Sequence, residues 1–161
     1  MKIYEYSREK CVDYALNWAL KRNEKYYDYG RIGGDCTNFA SQCVYSGASV
    51  MNYNFNNGWY YISPNDKSPS WTGVEFFYKF LTSNNGVGPF GELTEISNVL
   101  KGDVIQLGNQ KKFFHTLIVC DIKNGVPLVC CHSADALLKP LTYFNYERLR
   151  AISVKGFRKY N

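Results

Sequence analysis

The sequence predicts an α+β fold, with helices in the first half and an antiparallel β-sheet in the second. Apolar residues recur at helical spacing early in the chain, whereas short segments rich in Val, Ile and Phe, separated by turn residues, follow later. That order of elements is typical of α+β proteins. The chain has 161 residues, 45% hydrophobic and 17% aromatic, which excludes intrinsic disorder and suits a single domain over residues 1–161.

Two helices are predicted near the N-terminus. Ser7 is a suitable N-cap for the first helix, whose apolar residues recur at helical spacing up to Arg22. The second helix runs from Asp35 to Ser46. Gly47 behind it is a good stop, because glycine readily adopts the left-handed conformation that ends many helices.

A third helix is predicted after a long connection. Residues 48–70 are rich in Asn, Ser, Pro and Tyr, a composition that indicates an ordered surface loop. The pattern Thr72-x-x-Glu75 is a capping box, in which two side chains satisfy free backbone N–H groups at a helix start. We therefore expect the third helix to begin there.

The second half predicts four strands, and two of them should form a hairpin. Asn124-Gly125 is a strong signal for a two-residue turn, because both positions of such a turn need a positive φ. The predicted strands cover residues 103–107, 113–121, 126–132 and 151–157.

The charge of the chain limits its partners. Lys and Arg total 19 against 14 Asp and Glu, which gives a net charge of +5. The basic residues are scattered and no nucleic-acid recognition motif is visible, so we expect no nucleic-acid partner. A mild positive charge favours a polyanionic surface such as a bacterial cell wall. We expect a monomer.

We expect neither a membrane span nor a signal peptide. No segment approaches the roughly 18 consecutive apolar residues of a transmembrane helix, so we expect no membrane insertion. Residues 1–10 contain no apolar stretch of signal-peptide length. We therefore expect a protein that is made in the cytoplasm and that reaches a cell wall by a non-classical, phage or effector route.

The segment Gly33-Gly34-Asp35-Cys36 places a cysteine at the start of the second predicted helix. Helix N-termini stabilise anions, so a thiolate there is expected to have a lowered pKa and to be a better nucleophile. The glycines would let a substrate backbone approach closely. The alternative is a helix that begins with an Asp N-cap, with Cys36 merely packed inside.

His115 and His132 are the two histidines, so any Cys/His chemistry uses one or both. With a two-residue turn at Asn124-Gly125, Leu117 lies opposite His132. His115 and His132 are then diagonal neighbours on one sheet face, roughly 7–8 Å apart at Cα. A general base needs a partner that fixes its orientation, and His132 is the candidate for that role. A three-residue turn would bring Asp135 opposite His115, which makes Asp135 the reserve.

Other kinds of site find little support in the sequence. The six cysteines include no Cys-x-x-Cys pair, and the adjacent Cys130 and Cys131 point to opposite faces of a strand, so zinc-ligand spacing is missing. We expect no metal and no cofactor. No Gly-x-Ser-x-Gly motif supports a serine hydrolase. Most of the cysteines are expected to be reduced, buried residues.

Four stretches of the chain match the pattern of a known family. They are Gly-Gly-Asp-Cys-Thr-Asn-Phe-x-Ser-Gln at 33–42, Ser-Trp-Thr at 70–72, Gly-Asp-Val-Ile-Gln at 102–106 and His-Thr-x-Ile-Val at 115–119. Together they resemble the putative amidase domain family of Gram-positive bacteria, which belongs with the NlpC-type and CHAP cell-wall cysteine peptidases. The resemblance extends from about Tyr6 to Arg158, and the cysteine and histidine stretches are its specific parts.

The resemblance implies a papain-like fold, in which N-terminal helices carry the nucleophile at a helix N-terminus and pack on a C-terminal antiparallel sheet. It implies Cys36 as the nucleophile and His115 as the general base. In NlpC-type enzymes a polar residue on the next strand orients the base histidine, and His132 corresponds to it. The turn 27–30 is similar to their Tyr-x-aromatic-Gly turn, so Tyr27 is a candidate oxyanion donor. Thr37 stands where NlpC-type enzymes usually have Ser.

The combined expectation is a cysteine-dependent amide hydrolase. Its substrate would be peptidoglycan or a peptide, with cleavage of stem-peptide amide bonds through a thioester acyl-enzyme, as in a peptidoglycan amidase or endopeptidase. Trp59 and Trp71, in or beside the long loop, are candidates for a substrate groove, with core packing as the alternative. Two other functions stay open: an intracellular cysteine peptidase or acyltransferase with a non-wall substrate, and a non-catalytic wall-binding module.

Overall fold

The computed structural model describes residues 1–161 and has helices in the first half and antiparallel strands in the second. The helices are α1 (Arg8–Trp18), α2 (Cys36–Ala48), α3 (Pro69–Thr72) and α4 (Val74–Ser83). The strands are β1 (Lys2–Tyr4), β2 (Tyr61–Ser63), β3 (Asp66–Lys67), β4 (Gly88–Thr94), β5 (Val104–Gly108), β6 (Phe113–Lys123), β7 (Val126–Cys131), β8 (Ala136–Pro140) and β9 (Arg148–Lys159). The predicted α+β class is confirmed.

Seven strands form one antiparallel sheet in the order β1-β9-β5-β6-β7-β8, with β4 paired to β9. Strands β2 and β3 form a separate pair. The helices cover one face of the large sheet, where 25 buried residues form the main core, and ten buried residues form a second cluster on the opposite face. We call these the helix face and the outer face. None of the helices combines the length and the apolar character needed to cross a membrane.

Helices α1 and α2 lie where they were predicted, but each ends at a different residue from the predicted one. The Ser7 hydroxyl accepts a hydrogen bond from the Lys10 N–H at 3.2 Å and caps α1. Gly47 lies inside α2, where a Cβ would approach the Tyr6 ring to 2.5 Å, so this glycine allows close packing and does not stop the helix. The left-handed residue that ends α2 is Ser49, with a φ of 60°.

The connection after α2 is more structured than predicted. Residues 48–70 contain β2, β3 and the buried side chains of Trp59 and Tyr60, so this segment is not simply a surface loop. The predicted capping box is also wrong. Thr72 ends the short helix α3, and α4 begins after Gly73, which has no side chain to cap it.

The β6–β7 hairpin has the predicted turn. Lys123 pairs with Val126, so Asn124 and Gly125 are the two turn residues. Their φ values are 51° and 77°, as this turn type requires. The register near the turn is therefore the predicted one.

The register changes farther from the turn. A β-bulge between Val119 and Asp121 adds one residue to β6, and beyond it Ile118 lies opposite Cys130. Because side chains alternate between the two faces of a sheet, a shift of one residue exchanges the faces. The prediction that Leu117 lies opposite His132 is therefore wrong.

The bulge separates the two histidines. The His132 ring stacks on Phe39 of α2, with ring centroids 4.0 Å apart, and so lies on the helix face. The His115 ring lies 6.1 Å from the ring of Phe144, which packs against the cluster on the outer face. The predicted diagonal contact between His115 and His132 is not present.

Candidate active site

Cys36 is the first residue of α2 and is 7% exposed. Gly33 and Gly34 in front of it have φ values of 84° and 103°, which glycine adopts without strain. A Cβ on Gly34 would lie 3.3 Å from the Ser133 hydroxyl oxygen. The glycines thus let the chain turn into α2 while it runs close to the segment after β7.

The thiol of Cys36 lies where β6 and β7 separate. The ladder between these strands ends before Thr116 and Cys131. Burial raises the pKa of Cys36, and the contact of the sulfur with the Thr116 backbone N–H opposes this only in part. The proximity of Cys36 helps, after burial, to raise the pKa of Cys131 to about 12. The thiol is therefore held beside the residue that follows His115 in β6.

Thr37 joins the start of α2 to the same strand. Its hydroxyl oxygen lies 2.9 Å from the Thr116 hydroxyl oxygen and 3.8 Å from the sulfur of Cys36. Gln106 of β5 donates a hydrogen bond to the Thr116 hydroxyl at 3.2 Å. These buried contacts fix the position of Cys36 relative to β6.

His115 has no hydrogen-bonding partner within the protein. Its ring packs beside Phe144, and no side chain or backbone group hydrogen-bonds to either ring nitrogen. Burial, and then the positive charge of Lys139, lower the pKa of His115 to about 4. At neutral pH the imidazole is uncharged, and both nitrogens remain available to a thiol, a substrate or water.

His132 is fully engaged on the helix face. Its Nδ1 lies 2.6 Å from an Asp35 carboxylate oxygen, and its Nε2 lies 2.9 Å from the Trp18 carbonyl oxygen. Both ring nitrogens therefore have partners other than His115. His132 therefore does not orient His115, contrary to the prediction.

Asp35 is a buried carboxylate with several donors around it. Besides His132, its oxygens accept hydrogen bonds from the Tyr29 N–H at 2.9 Å and the Asn38 amide at 2.8 Å. It occupies the N-cap position of α2 but makes no hydrogen bond to the N–H groups of that helix. The N-terminus of α2, beside Cys36, is therefore not capped by a side chain.

Asp135 does not contact His115 either. Its two carboxylate oxygens accept hydrogen bonds from Arg22 at 2.9 Å and 3.0 Å, in a bidentate pair. The Nε of Arg22 lies 3.3 Å from Asp28. Asp135, the reserve candidate for orienting His115, instead links the segment after β7 to the segment after α1.

Tyr27 lies close to the start of α2 through its backbone. Its carbonyl oxygen accepts a hydrogen bond from the Asn38 amide at 2.8 Å, and its N–H donates to the Tyr61 hydroxyl at 2.9 Å. The Tyr27 ring is exposed and packs against Tyr29. This placement leaves the phenol accessible to solvent.

The two tryptophans do not line a groove. Trp59 and Trp71 are both 0% exposed and lie in the main core, with ring centroids 4.7 Å apart. The indole N–H of Trp71 donates to the Asn38 carbonyl oxygen at 3.0 Å, and that of Trp59 donates to Ser41 at 3.0 Å. Both indoles therefore pack against α2 inside the core. The prediction that they line a substrate groove is wrong, and the alternative of core packing is confirmed.

The pKa of the Cys36 thiol is raised, which reverses the expected direction. Burial is the largest cause, and hydrogen bonds from Thr116 and Thr37 oppose it only in part. His115 is uncharged as well, so at neutral pH the two groups are a thiol and a neutral imidazole.

Asp35 is the site residue whose role the sequence did not indicate. It was predicted only as an N-cap, and its bond to His132 joins residues 97 positions apart. No local signal in the sequence marks this role, because the partner of the carboxylate lies on a distant strand. No three His, Cys, Asp or Glu side chains group closely enough to hold a metal ion.

The fold and the site together describe an α+β protein with a buried thiol at a helix start and a partner-free histidine on the neighbouring strand. Residues 5–155 match the family described as "Putative amidase domain", and the chain belongs to that family. This membership indicates a hydrolase of amide bonds. Cys36 and His115 both lie within the matched region.

The chain is also similar to an uncharacterized protein, YhbB of Bacillus subtilis (strain 168). The two are 28% identical over 151 residues, which are 91% of this chain and 46% of that protein. This chain therefore spans about half the length of that relative. No solved structure gives a significant match to the chain.

Proposed function

We propose that the protein is a cysteine-dependent amide hydrolase with Cys36 as the nucleophile and His115 as the general base. One observation carries the proposal. The thiol sits at the start of α2, where the Thr37 hydroxyl lies 2.9 Å from the Thr116 hydroxyl of β6, and the residue before Thr116 is a histidine with no hydrogen-bonding partner in the fold. The thiol also lies close to Cys131, which belongs to the cluster on the outer face where the His115 ring packs, and this closeness supports a cysteine–histidine pair at the end of the sheet where β6 and β7 separate. The family membership supports the amide bond as the target.

In the proposed reaction, neutral His115 takes the thiol proton while the Cys36 sulfur attacks the scissile carbonyl carbon. The carbonyl oxygen becomes an oxyanion in the tetrahedral intermediate. As this collapses, His115 gives its proton to the leaving amine and a thioester remains. His115 then activates a water molecule, which attacks the thioester and releases the acid. The proton that His115 takes from this water passes to the Cys36 sulfur as the thioester breaks, which restores the thiol and the neutral imidazole.

The N-terminus of α2 supports the oxyanion in this scheme. Its first-turn N–H groups have no side-chain acceptor, because the Asp35 carboxylate is engaged by His132 on the helix face. Free N–H groups at a helix start stabilise negative charge. The Tyr27 phenol, exposed near this end of α2, is the second candidate donor. In this role Asp35 and His132 are positioning residues.

A cell-wall amide is the substrate class that we propose. The support is the resemblance to NlpC-type and CHAP peptidases with a papain-like fold, together with the net charge of +5, which suits the anionic polymers of Gram-positive walls. Access to the wall by a non-classical, phage or effector route belongs to the same proposal.

The proposal is tested with purified protein and peptidoglycan. We expect new amino groups without new reducing ends, since amide bonds and not glycosidic bonds are cut. The Cys36→Ala variant should lower the rate of amine release at least about 10³-fold, because the covalent step is lost. Cys43→Ala is the matched control, since Cys43 is another buried cysteine of α2 and packs in the main core.

Three results would count against parts of the proposal. Amine release that survives Cys36→Ala would exclude Cys36 as the nucleophile. An absence of amine release from every wall type would exclude the wall substrate and favour an intracellular peptidase or acyltransferase, or a non-catalytic module. Reducing ends in place of amino groups would exclude an amidase.

The rate should depend on pH in a way that reflects the neutral pair. Since the pKa of His115 is lowered to about 4, the imidazole remains a base down to that pH and takes up a proton only below it. We expect kcat/KM to stay level from about pH 8 to about pH 5 and to fall about tenfold per pH unit below the pKa. Circular dichroism at each pH separates this loss from acid unfolding. A loss of rate near pH 8.5 would instead indicate a thiolate–imidazolium pair.

A further inference from the structure

A second cleft lies away from Cys36. It has a volume of about 690 Å³ and is bounded by the loop 52–58, the start of α3, one side of α4 and the turn 84–86. We call it the asparagine cleft. The loop 52–58 follows the C-terminal end of α2, whereas Cys36 lies at the other end of this 13-residue helix. The helix alone separates the two by roughly 20 Å.

Three asparagine amides and one lysine of this cleft are not used by the protein itself. Of its 16 lining residues only three are hydrophobic, and Lys79 is the only charged one. Lys79 takes part in none of the ion pairs. The side-chain amides of Asn56, Asn57 and Asn85 make no hydrogen bond within the protein, so each offers one acceptor and two donor hydrogens.

Two phenylalanine rings are exposed at the same cleft. Phe55 is 86% exposed and Phe76 is 56% exposed, and neither ring packs against another aromatic ring. Leaving large apolar rings in water costs free energy, and a ligand with an apolar face would recover part of it. Below them, Phe80 is buried and stacks on Trp59, which gives the cleft a fixed floor.

The wall formed by loop 52–58 is held in place. Asn52 exchanges two backbone hydrogen bonds with Trp59, and its amide donates to the Val87 carbonyl at 3.0 Å. The Asn54 carboxamide oxygen accepts the N–H groups of Asn56 and Asn57 at 3.0 Å each. The free amides are therefore presented by an ordered backbone, so little ordering entropy is lost when a ligand binds.

We propose that the asparagine cleft binds an oligosaccharide. Amides that donate and accept match the hydroxyl groups of a sugar, and the exposed rings of Phe55 and Phe76 match the apolar faces of sugar rings. A single lysine is too little charge for a polyphosphate, and the absence of carboxylates from the lining argues against a cation. This site goes beyond the proposed amide hydrolysis and does not depend on it.

The test uses two neutral tetrasaccharides as probes, one of N-acetylglucosamine and one of glucose. When each is titrated into the ¹⁵N-labelled protein, at least one should shift the amide resonances of Asn56, Asn57 and Asn85 in a saturable way, with a Kd below about 10 mM. Phe55→Ala should weaken this binding about three- to tenfold, because one stacking face is lost. Tyr160→Ala, at another exposed aromatic residue, should leave binding unchanged.

Each outcome either supports or overturns the proposal. Binding that is retained in Cys36→Ala and weakened about three- to tenfold in Phe55→Ala supports a glycan site separate from the proposed catalytic residues. No saturable shift with either probe overturns it, whatever the result of the peptidoglycan assay. Shifts confined to other residues overturn it, as does tighter binding in the cleft of a tetrapeptide than of either sugar.

Discussion

Replacing Asp35 with alanine should lower the free energy of unfolding by about 3–5 kcal/mol. The carboxylate is 1% exposed, and its removal leaves the Nδ1 of His132, the Tyr29 N–H and the Asn38 amide without their acceptor in a buried place. Unpaired buried donors are costly because they have given up water without a replacement. Urea unfolding, followed by circular dichroism, measures the change.

Asp28→Ala is the control for this substitution. Asp28 is likewise a carboxylate near the start of α2 and pairs with Arg22, but its side chain is 50% exposed. Its removal should therefore lower the free energy of unfolding by less than about 1 kcal/mol. Asp35→Asn should fall between the two, since the amide oxygen can still accept a hydrogen bond from Tyr29 or Asn38. An Asp35→Ala protein as stable as the Asp28→Ala protein would contradict the buried network described here.

Replacing His115 with glutamine should abolish activity without unfolding the protein. Glutamine cannot take the thiol proton, so we expect the initial rate of amine release to fall about 10²–10⁴-fold. Because neither ring nitrogen of His115 has a partner in the fold, the free energy of unfolding should change by less than about 1 kcal/mol. Enzyme assays and urea unfolding of the same preparation give both quantities.

The His132→Gln variant distinguishes the role of His132 from that of His115. It removes the partner of a buried carboxylate, so we expect a loss of about 3 kcal/mol in unfolding free energy together with any loss of rate. If His115→Gln proved to be the destabilising variant and His132→Gln the inactive but stable one, the proposed roles would be exchanged and the proposal would fail.

The local features of the fold could be predicted from the sequence. The Ser7 cap, the beginning of α2 near Cys36 and the Asn124-Gly125 turn each depend on a few neighbouring residues. Five strands were not predicted: β1, β2, β3, β4 and β8. Of these, β1 and β4 pair with β9 at the far end of the chain, and Gly88, Pro89 and Gly91 in β4 are residues typical of turns.

The candidate site was predicted only in part, for a physical reason. The cysteine and the histidine lie in recognisable motifs, but their surroundings depend on pairings across the sheet. One bulge in β6 moved His132 from the face of His115 to the face of Asp35. Nothing in the local composition marks that bulge, because Val119 and Cys120 suit a regular strand equally well.

The burial of the cysteines has a practical consequence for following the protein in solution. All six are unpaired, none is more than 7% exposed, and five of them are 3% exposed or less. A thiol reagent applied to the folded protein should therefore meet Cys36 first, and the other five only when the core opens. Counting the modified thiols by mass spectrometry therefore reports how often the core opens, and no substitution has to be introduced.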